Sequence, residues 1–272
     1  MIRRAKALGM DVIAITDHDN VGGLPEAAAA AQAERMTVLP GVELSVGTTR
    51  EIHVLGYGMD PDDAKTRAFF DSEMEIRRER TLAILKKLAD RGIEIAPEET
   101  GKTGEFMGRM YLAEALCRRG WADSVRDAFN RYIGDGAPCY VPRRRKPVAD
   151  GIRALRELGA VPVLAHPARS GISPEALQRR LGEWMDAGLL GVEAWHASHM
   201  PVDAERFDAL ARRNGLLVTG GSDCHGRDDD GSSRGSHAGI GEKLDGWKTV
   251  AEDVQALRAR MKEAEQIREK NG

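Results

Sequence analysis

Six short apolar runs rich in β-branched residues, at 12–16, 37–45, 52–56, 161–165, 191–195 and 216–220, recur along the chain with longer helical patterns between them. Runs that are apolar on both faces need cover on both, so they predict a parallel sheet, open or closed into a barrel, clad in helices. The helical patterns fall at 24–35, 148–158, 174–187 and 204–214. Several end at a glycine, as at Gly159, Gly188 and Gly215, where a left-handed residue closes a helix without strain.

The interval 61–145 departs from this rhythm. It reads as charged helices at 63–91 and 111–119 with no strand-like run between them, so it predicts a helical insert or cap. The domains expected are therefore an α/β barrel from 1–60 and 146–272, and a cap from 61–145. A charged helix at 250–270 is expected on the outside. The opening residues 2–9 already read as a helix feeding the first strand, with no capping residue and no strand before it.

With 272 residues the chain is long enough to bury a substantial core unaided. Forty Lys and Arg against 43 Asp and Glu leave a net charge of -3, which excludes a global basic field for nucleic acid or membrane. Cys117, Cys139 and Cys224 are odd in number and widely spaced, which suits reduced thiols rather than a disulfide or zinc framework. No stretch has the length of a membrane span or the pattern of a signal peptide, and a cytoplasmic protein is expected.

Of seven histidines, six follow or sit in the strand-like runs: His18, His53, His166, His196, His199 and His225. Acids stand beside them, in Asp17-His18-Asp19, at Glu43 and in Ser222-Asp223-Cys224-His225. The carboxyl ends of parallel barrel strands meet at one face, so these residues are expected to converge there. Mixed imidazole and carboxylate donors without a thiolate requirement suit Zn²⁺, Mn²⁺ or Fe²⁺, and their number implies more than one ion. Paired ions serve phosphoester hydrolysis well. His237, in a Gly/Ser-rich segment, reads as a loop residue.

Thr16-Asp17-His18-Asp19, Gly41-Val42-Glu43, Ile52-His53-Val54-Leu55-Gly56, Ala165-His166-Pro167, the His199 segment and Gly221-Ser222-Asp223-Cys224-His225 stand in the order and approximate spacing of the PHP (polymerase and histidinol phosphatase) superfamily, which the chain resembles. Within it the chain looks like the branch of nucleoside 3',5'-bisphosphate phosphatases and 5'-to-3' exoribonucleases, over nearly its whole length. The resemblance implies a distorted (β/α)7 barrel with two to three divalent ions, usually Mn²⁺, with Zn²⁺, Fe²⁺ or Mg²⁺ as alternatives. It implies that Glu43 bridges two ions, that His53 and His199 complete the second site, that Asp223 belongs to the first, and that His18 and His225 belong to the third. His166 and Asp17 are the implied catalytic residues, Asp17 and Asp19 also being candidates to orient His18, while Arg109 and Arg169 would bind the substrate phosphate. The expected activity is hydrolysis, by metal-activated water, of a phosphate monoester of a small nucleotide or of the 5' end of short RNA, with no membrane partner. The alternatives are a phosphatase of another metabolite, such as histidinol phosphate, and a degenerate non-catalytic module.

Two departures from the family pattern bear on these expectations. The family opens with a strand carrying a His-x-His pair, and nothing before His18 contains a histidine. Either the sequence starts late or the first site is lost, and the barrel is expected to lack its first strand. Tyr111 stands where the branch commonly has His; its phenol can hydrogen-bond a phosphate but cannot supply an imidazolium charge. The run Arg143-Arg144-Arg145-Lys146 reads as a solvated loop or as a phosphate groove. Trp195 reads as barrel-end packing or a base-stacking surface, and Cys224 as packing.

Overall fold

In this computed structural model, residues 1–100, 108–225, 238–244 and 246–271 are described. The chain divides into two compact units, 1–67 with 145–272, and 68–144. The first unit opens with α1 (Ile2–Ala7), β1 (Val12–Ile15), α2 (Leu24–Glu34), β2 (Thr37–Val46) and β3 (Ile52–Tyr57). Helix α3 (Ala64–Ala89) leads into the second unit, which adds α4 (Arg109–Arg118) and α5 (Val125–Ala128). The first unit then resumes with α6 (Val148–Glu157), β4 (Val161–Leu164), α7 (Pro174–Asp186), β5 (Gly191–His196), α8 (Pro201–Arg213), β6 (Leu217–Gly221) and α9 (Val250–Asn271). His237 lies outside the described residues.

The six strands form one curled sheet in sequence order, β1 to β6, the half-barrel of a distorted α/β barrel. The expectation of a wholly parallel sheet is corrected here: β1–β2, β4–β5 and β5–β6 are parallel, but β3 runs antiparallel to both β2 and β4. The reason is local. No helix separates β2 from β3, and a short turn at 47–51 can only return the chain antiparallel. Gly47 makes that turn possible: its φ is +87°, and a Cβ there would stand 2.1 Å from the Arg50 carbonyl oxygen.

One face of the sheet buries Leu39, Leu55, Tyr57, Val161 and Val163 against Leu257 and Ala264 of α9. Helix α6 buries Ala149, Ile152 and Leu155, spaced three apart, and approaches β2 closely because Gly151 has no side chain; a Cβ there would meet Val46 Cγ1 at 2.3 Å. Helix α7 begins at Ser173, whose hydroxyl accepts the Ala176 N–H, with Pro174 in the first turn. The second unit has its own core, built on Ile84, Leu88, Leu112, Leu116 and Ile133. No described helix is long and apolar enough to cross a membrane.

Candidate metal centre

Glu43 lies on β2 with only 4% of its surface exposed, and the antiparallel register makes Ser45 the direct partner of His53. Glu43 and His53 are therefore diagonal neighbours on one face. His53 Nδ1 stands 2.6 Å from Glu43 Oε1, and His166 Nε2, just past the end of β4, stands 2.8 Å from the same oxygen. His18 Nδ1 is 3.7 Å from the other oxygen, Oε2.

The segment after β1 is held to β2 by backbone pairing. The Glu43 N–H donates to the Asp17 carbonyl and the Asp19 N–H to the Glu43 carbonyl, both at 3.0 Å, which places His18 beside Glu43. Asp19 has a φ of 51° and is wholly buried. Its carboxylate accepts the amide N–H and the hydroxyl of Ser45, which offset the cost of burying it.

The backbone of His166 is also unusual, with a φ of 24°. Its N–H donates to Glu193 Oε2 at 2.8 Å. Glu193 is a fully buried carboxyl on β5; burial lifts its pKa to about 7 despite the opposing pull of His166. A β-bulge between Glu193 and Trp195 in the β5–β6 pairing shifts the register at this point. His196 at the end of β5 is buried, which pushes its pKa down to about 3, and its Nδ1 meets Ser198 Oγ at 2.8 Å. Among the described residues, the buried His196 Nε2 and His166 Nδ1 have no hydrogen-bond partner.

Electrostatics follow from this packing. Burial raises Glu43, but the neighbouring His18, His53 and His166 outweigh it and hold its carboxyl well below the usual range. Burial lowers His53, and the carboxylates of Glu43 and Glu51 more than reverse that, to about 10. In the absence of a cation His53 is therefore an imidazolium clamped between two carboxylates. Burial raises Asp17 against the pull of His225.

Among the described residues, His18, Glu43 and His53 bring one donor atom each within 4.8 Å of one another. A buried carboxylate with two imidazoles fits a borderline divalent ion, and the rings of His166 and His196 lie 5.0 Å from each other. His199 stands apart from the triad: its Nδ1–H donates to the Ala194 carbonyl at 2.8 Å and its Nε2 accepts the Ala168 N–H at 3.3 Å. Its ring is 5.5 Å from that of His196. Asp223 follows β6 with a φ of 52°, and its Oδ2 accepts from Arg169 Nη1 at 2.8 Å. The His225 ring is 5.8 Å from that of His18. Arg109 lies in the second unit, where it pairs with Asp135 at 3.0 Å and stacks on Phe129 and Tyr140. Tyr111 is half-buried in the first turn of α4.

Three of the four residues in the basic run have carboxylate partners. Arg143 is buried against Glu73, Arg144 pairs with Glu79, and Arg145 donates to Gly47 and Glu51. Trp195 is packing: its indole N–H donates to Asp208 at 2.7 Å. Sequence reasoning placed His196 among the converging histidines without a role, and missed Glu193 and Glu51 as parts of the centre. Glu193 carried a signal, as the acid within an otherwise apolar strand run.

The PHP domain profile matches residues 1–115. The chain is 32% identical over 239 residues to the 3',5'-nucleoside bisphosphate phosphatase of Chromobacterium violaceum, covering 86% of this chain and 84% of that one. It is 29% identical to the 5'-3' exoribonuclease Rnm of Salmonella typhimurium, over 83% of this chain and 78% of that one. A solved structure from Bifidobacterium adolescentis, to which metal-dependent phosphoesterase activity has been attributed, superposes with a TM-score of 0.80 at 28% identity, over 95% of this chain and 89% of that one. Strand-end histidines gathered on one buried glutamate and this likeness agree, and the chain belongs to the PHP family.

Proposed function

We propose that this chain, a metal-dependent phosphoesterase, removes a phosphate from a small nucleotide such as a nucleoside 3',5'-bisphosphate, or from the 5' end of short RNA. The observation that carries the reading is the convergence of His18, His53 and His166 on the single buried carboxylate of Glu43. The named activities of the Chromobacterium and Salmonella relatives support the substrate class.

In this reading His18, Glu43, His53, His199, Asp223 and His225 hold two to three divalent ions, Mn²⁺ being favoured. Such ions polarise a phosphoryl oxygen, lower the pKa of a water and stabilise the leaving oxygen. Arg169, which bonds Asp223, offers its guanidinium to the phosphate at the same spot, and a planar fork suits phosphate oxygens. His166 and Asp17 face the reacting group. His166 is fixed through both its N–H and its ring, so it can hold a proton at Nε2 in one position. The proposal keeps Arg109 as a phosphate-binding residue.

The test is phosphate release, with Mn²⁺, from a nucleoside 3',5'-bisphosphate, from 5'-phosphorylated short RNA and from histidinol phosphate, comparing the chain with Glu43→Ala. Release from the nucleotide or RNA that Glu43→Ala abolishes supports the proposal. Preference for histidinol phosphate, or a folded, metal-loaded protein with no turnover, overturns it.

A further inference from the structure

The centre has a layer behind its donors that the activity does not explain. Glu51 ends the turn before β3, two residues ahead of His53. His53 turns Nδ1 toward Glu43, and its other nitrogen, Nε2, lies 3.3 Å from Glu51 Oε1. The second oxygen of Glu51 is 3.1 Å from Arg145 Nη1, and Arg145 Nε donates to the Gly47 carbonyl at 2.8 Å. The Arg145 side chain is only 9% exposed. The Gly47 N–H in turn donates to the Lys146 carbonyl at 2.8 Å, so the segment 145–146 is tied to the β2–β3 turn at two points.

We propose that Glu51, held in place by Arg145, is the positioning residue that fixes the tautomer and ring orientation of His53 for a cation at Glu43. A histidine can offer a lone pair from only one nitrogen when the other carries a proton, and the partner of that proton selects which. Glu51 accepts the proton on Nε2, leaving Nδ1 to face the cation. The buried guanidinium holds the Glu51 carboxylate in place, so the His53 ring is set before any ion arrives, and ordering costs less on binding. This also gives Arg145 a function that its place in a basic run conceals.

The inference rests on the Glu43 cluster being a cation centre. The experiment uses the whole chain labelled with ¹⁵N-histidine and Zn²⁺ as a diamagnetic probe, with affinities measured for the parent, Glu51→Ala, Glu51→Gln and Glu43→Ala. In the Zn²⁺-loaded parent the His53 proton is expected on Nε2, with the metal-ligated shift on Nδ1. Glu51→Ala is expected to lower Zn²⁺ affinity by about 10- to 100-fold and to lose the single tautomer. Glu51→Gln, which keeps an oxygen acceptor, is expected to restore the tautomer and much of the affinity. Parental affinity in Glu51→Ala, or ligation through Nε2 in the parent, overturns the proposal. Should Glu51→Ala fail to fold, the parent tautomer and Glu51→Gln decide. Unchanged affinity in Glu43→Ala would instead overturn the cation centre itself.

Discussion

The carboxylate of Asp19 accepts both the amide N–H and the hydroxyl of Ser45, at 2.6 and 2.8 Å, and thereby fastens the segment carrying His18 to the strand carrying Glu43. Because Asp19 is fully buried, Asp19→Ala would leave the Ser45 groups without their acceptor. The expected loss is about 1–3 kcal/mol of stability. A weakening of Mn²⁺ binding should accompany it, since only the backbone pairing would then hold His18. Urea unfolding in chelator, followed by Mn²⁺ titration of the folded variant, measures both; unaltered stability would count against the fastening.

The clamp on His53 makes a pH prediction. With its folded value at about 10 against an ordinary 6.5, the imidazolium stabilises the cation-free fold fully below about 6.5, and that stability is lost as pH rises through 10. A cation must displace the Nδ1 proton, so Mn²⁺ affinity should rise across the same window. Binding isotherms at roughly pH 6.5 and roughly pH 9 test the second part, and identical affinities would contradict it.

Glu193 carries the same sign over a lower window. A carboxyl lifted from 4.5 to about 7 favours the protonated fold, so its contribution falls as pH rises between those values. Glu193→Gln should erase that slope while still accepting the His166 N–H through its amide oxygen. Glu193→Ala strands that N–H and should cost about 1–3 kcal/mol. Denaturant melts across this pH range separate the two variants.

Arg143 and Arg144 are neighbours with different fates. Arg143 pairs with Glu73 where both side chains are almost wholly buried, so Glu73→Ala leaves an uncompensated charge and should cost about 3–5 kcal/mol. Arg144 is largely exposed beside Glu79, and Arg144→Ala should leave the melting temperature unchanged. A large shift for Arg144→Ala would refute this assignment.

Much of the fold was legible in the sequence, because each strand is a short apolar run between helices or turns. All six runs form strands within a residue or two of their expected limits, β2 through Pro40 included. The direction of β3 was not read, although the helix-free gap at 47–51 already required a reversal. The donor residues were legible as types, since acids and histidines stand out at apolar strand ends. Their partners were not. Arg145 meets Glu51, and His166 leans on Glu193, across long stretches of chain, and no spacing rule announces such pairs. The same holds for Arg143, which its buried partner Glu73 sets apart from the exposed Arg144 beside it.

The tight reversal between β2 and β3 also bears on the order of assembly. Glu43, Glu51 and His53 belong to one hairpin, so bringing them together closes only a small loop and costs little chain entropy. His166 and Asp223 can join only after far longer loops have closed. The hairpin is thus the low-contact-order part of the centre, and the carboxylate with its nearest imidazole can meet early in folding, before the later strands dock around them.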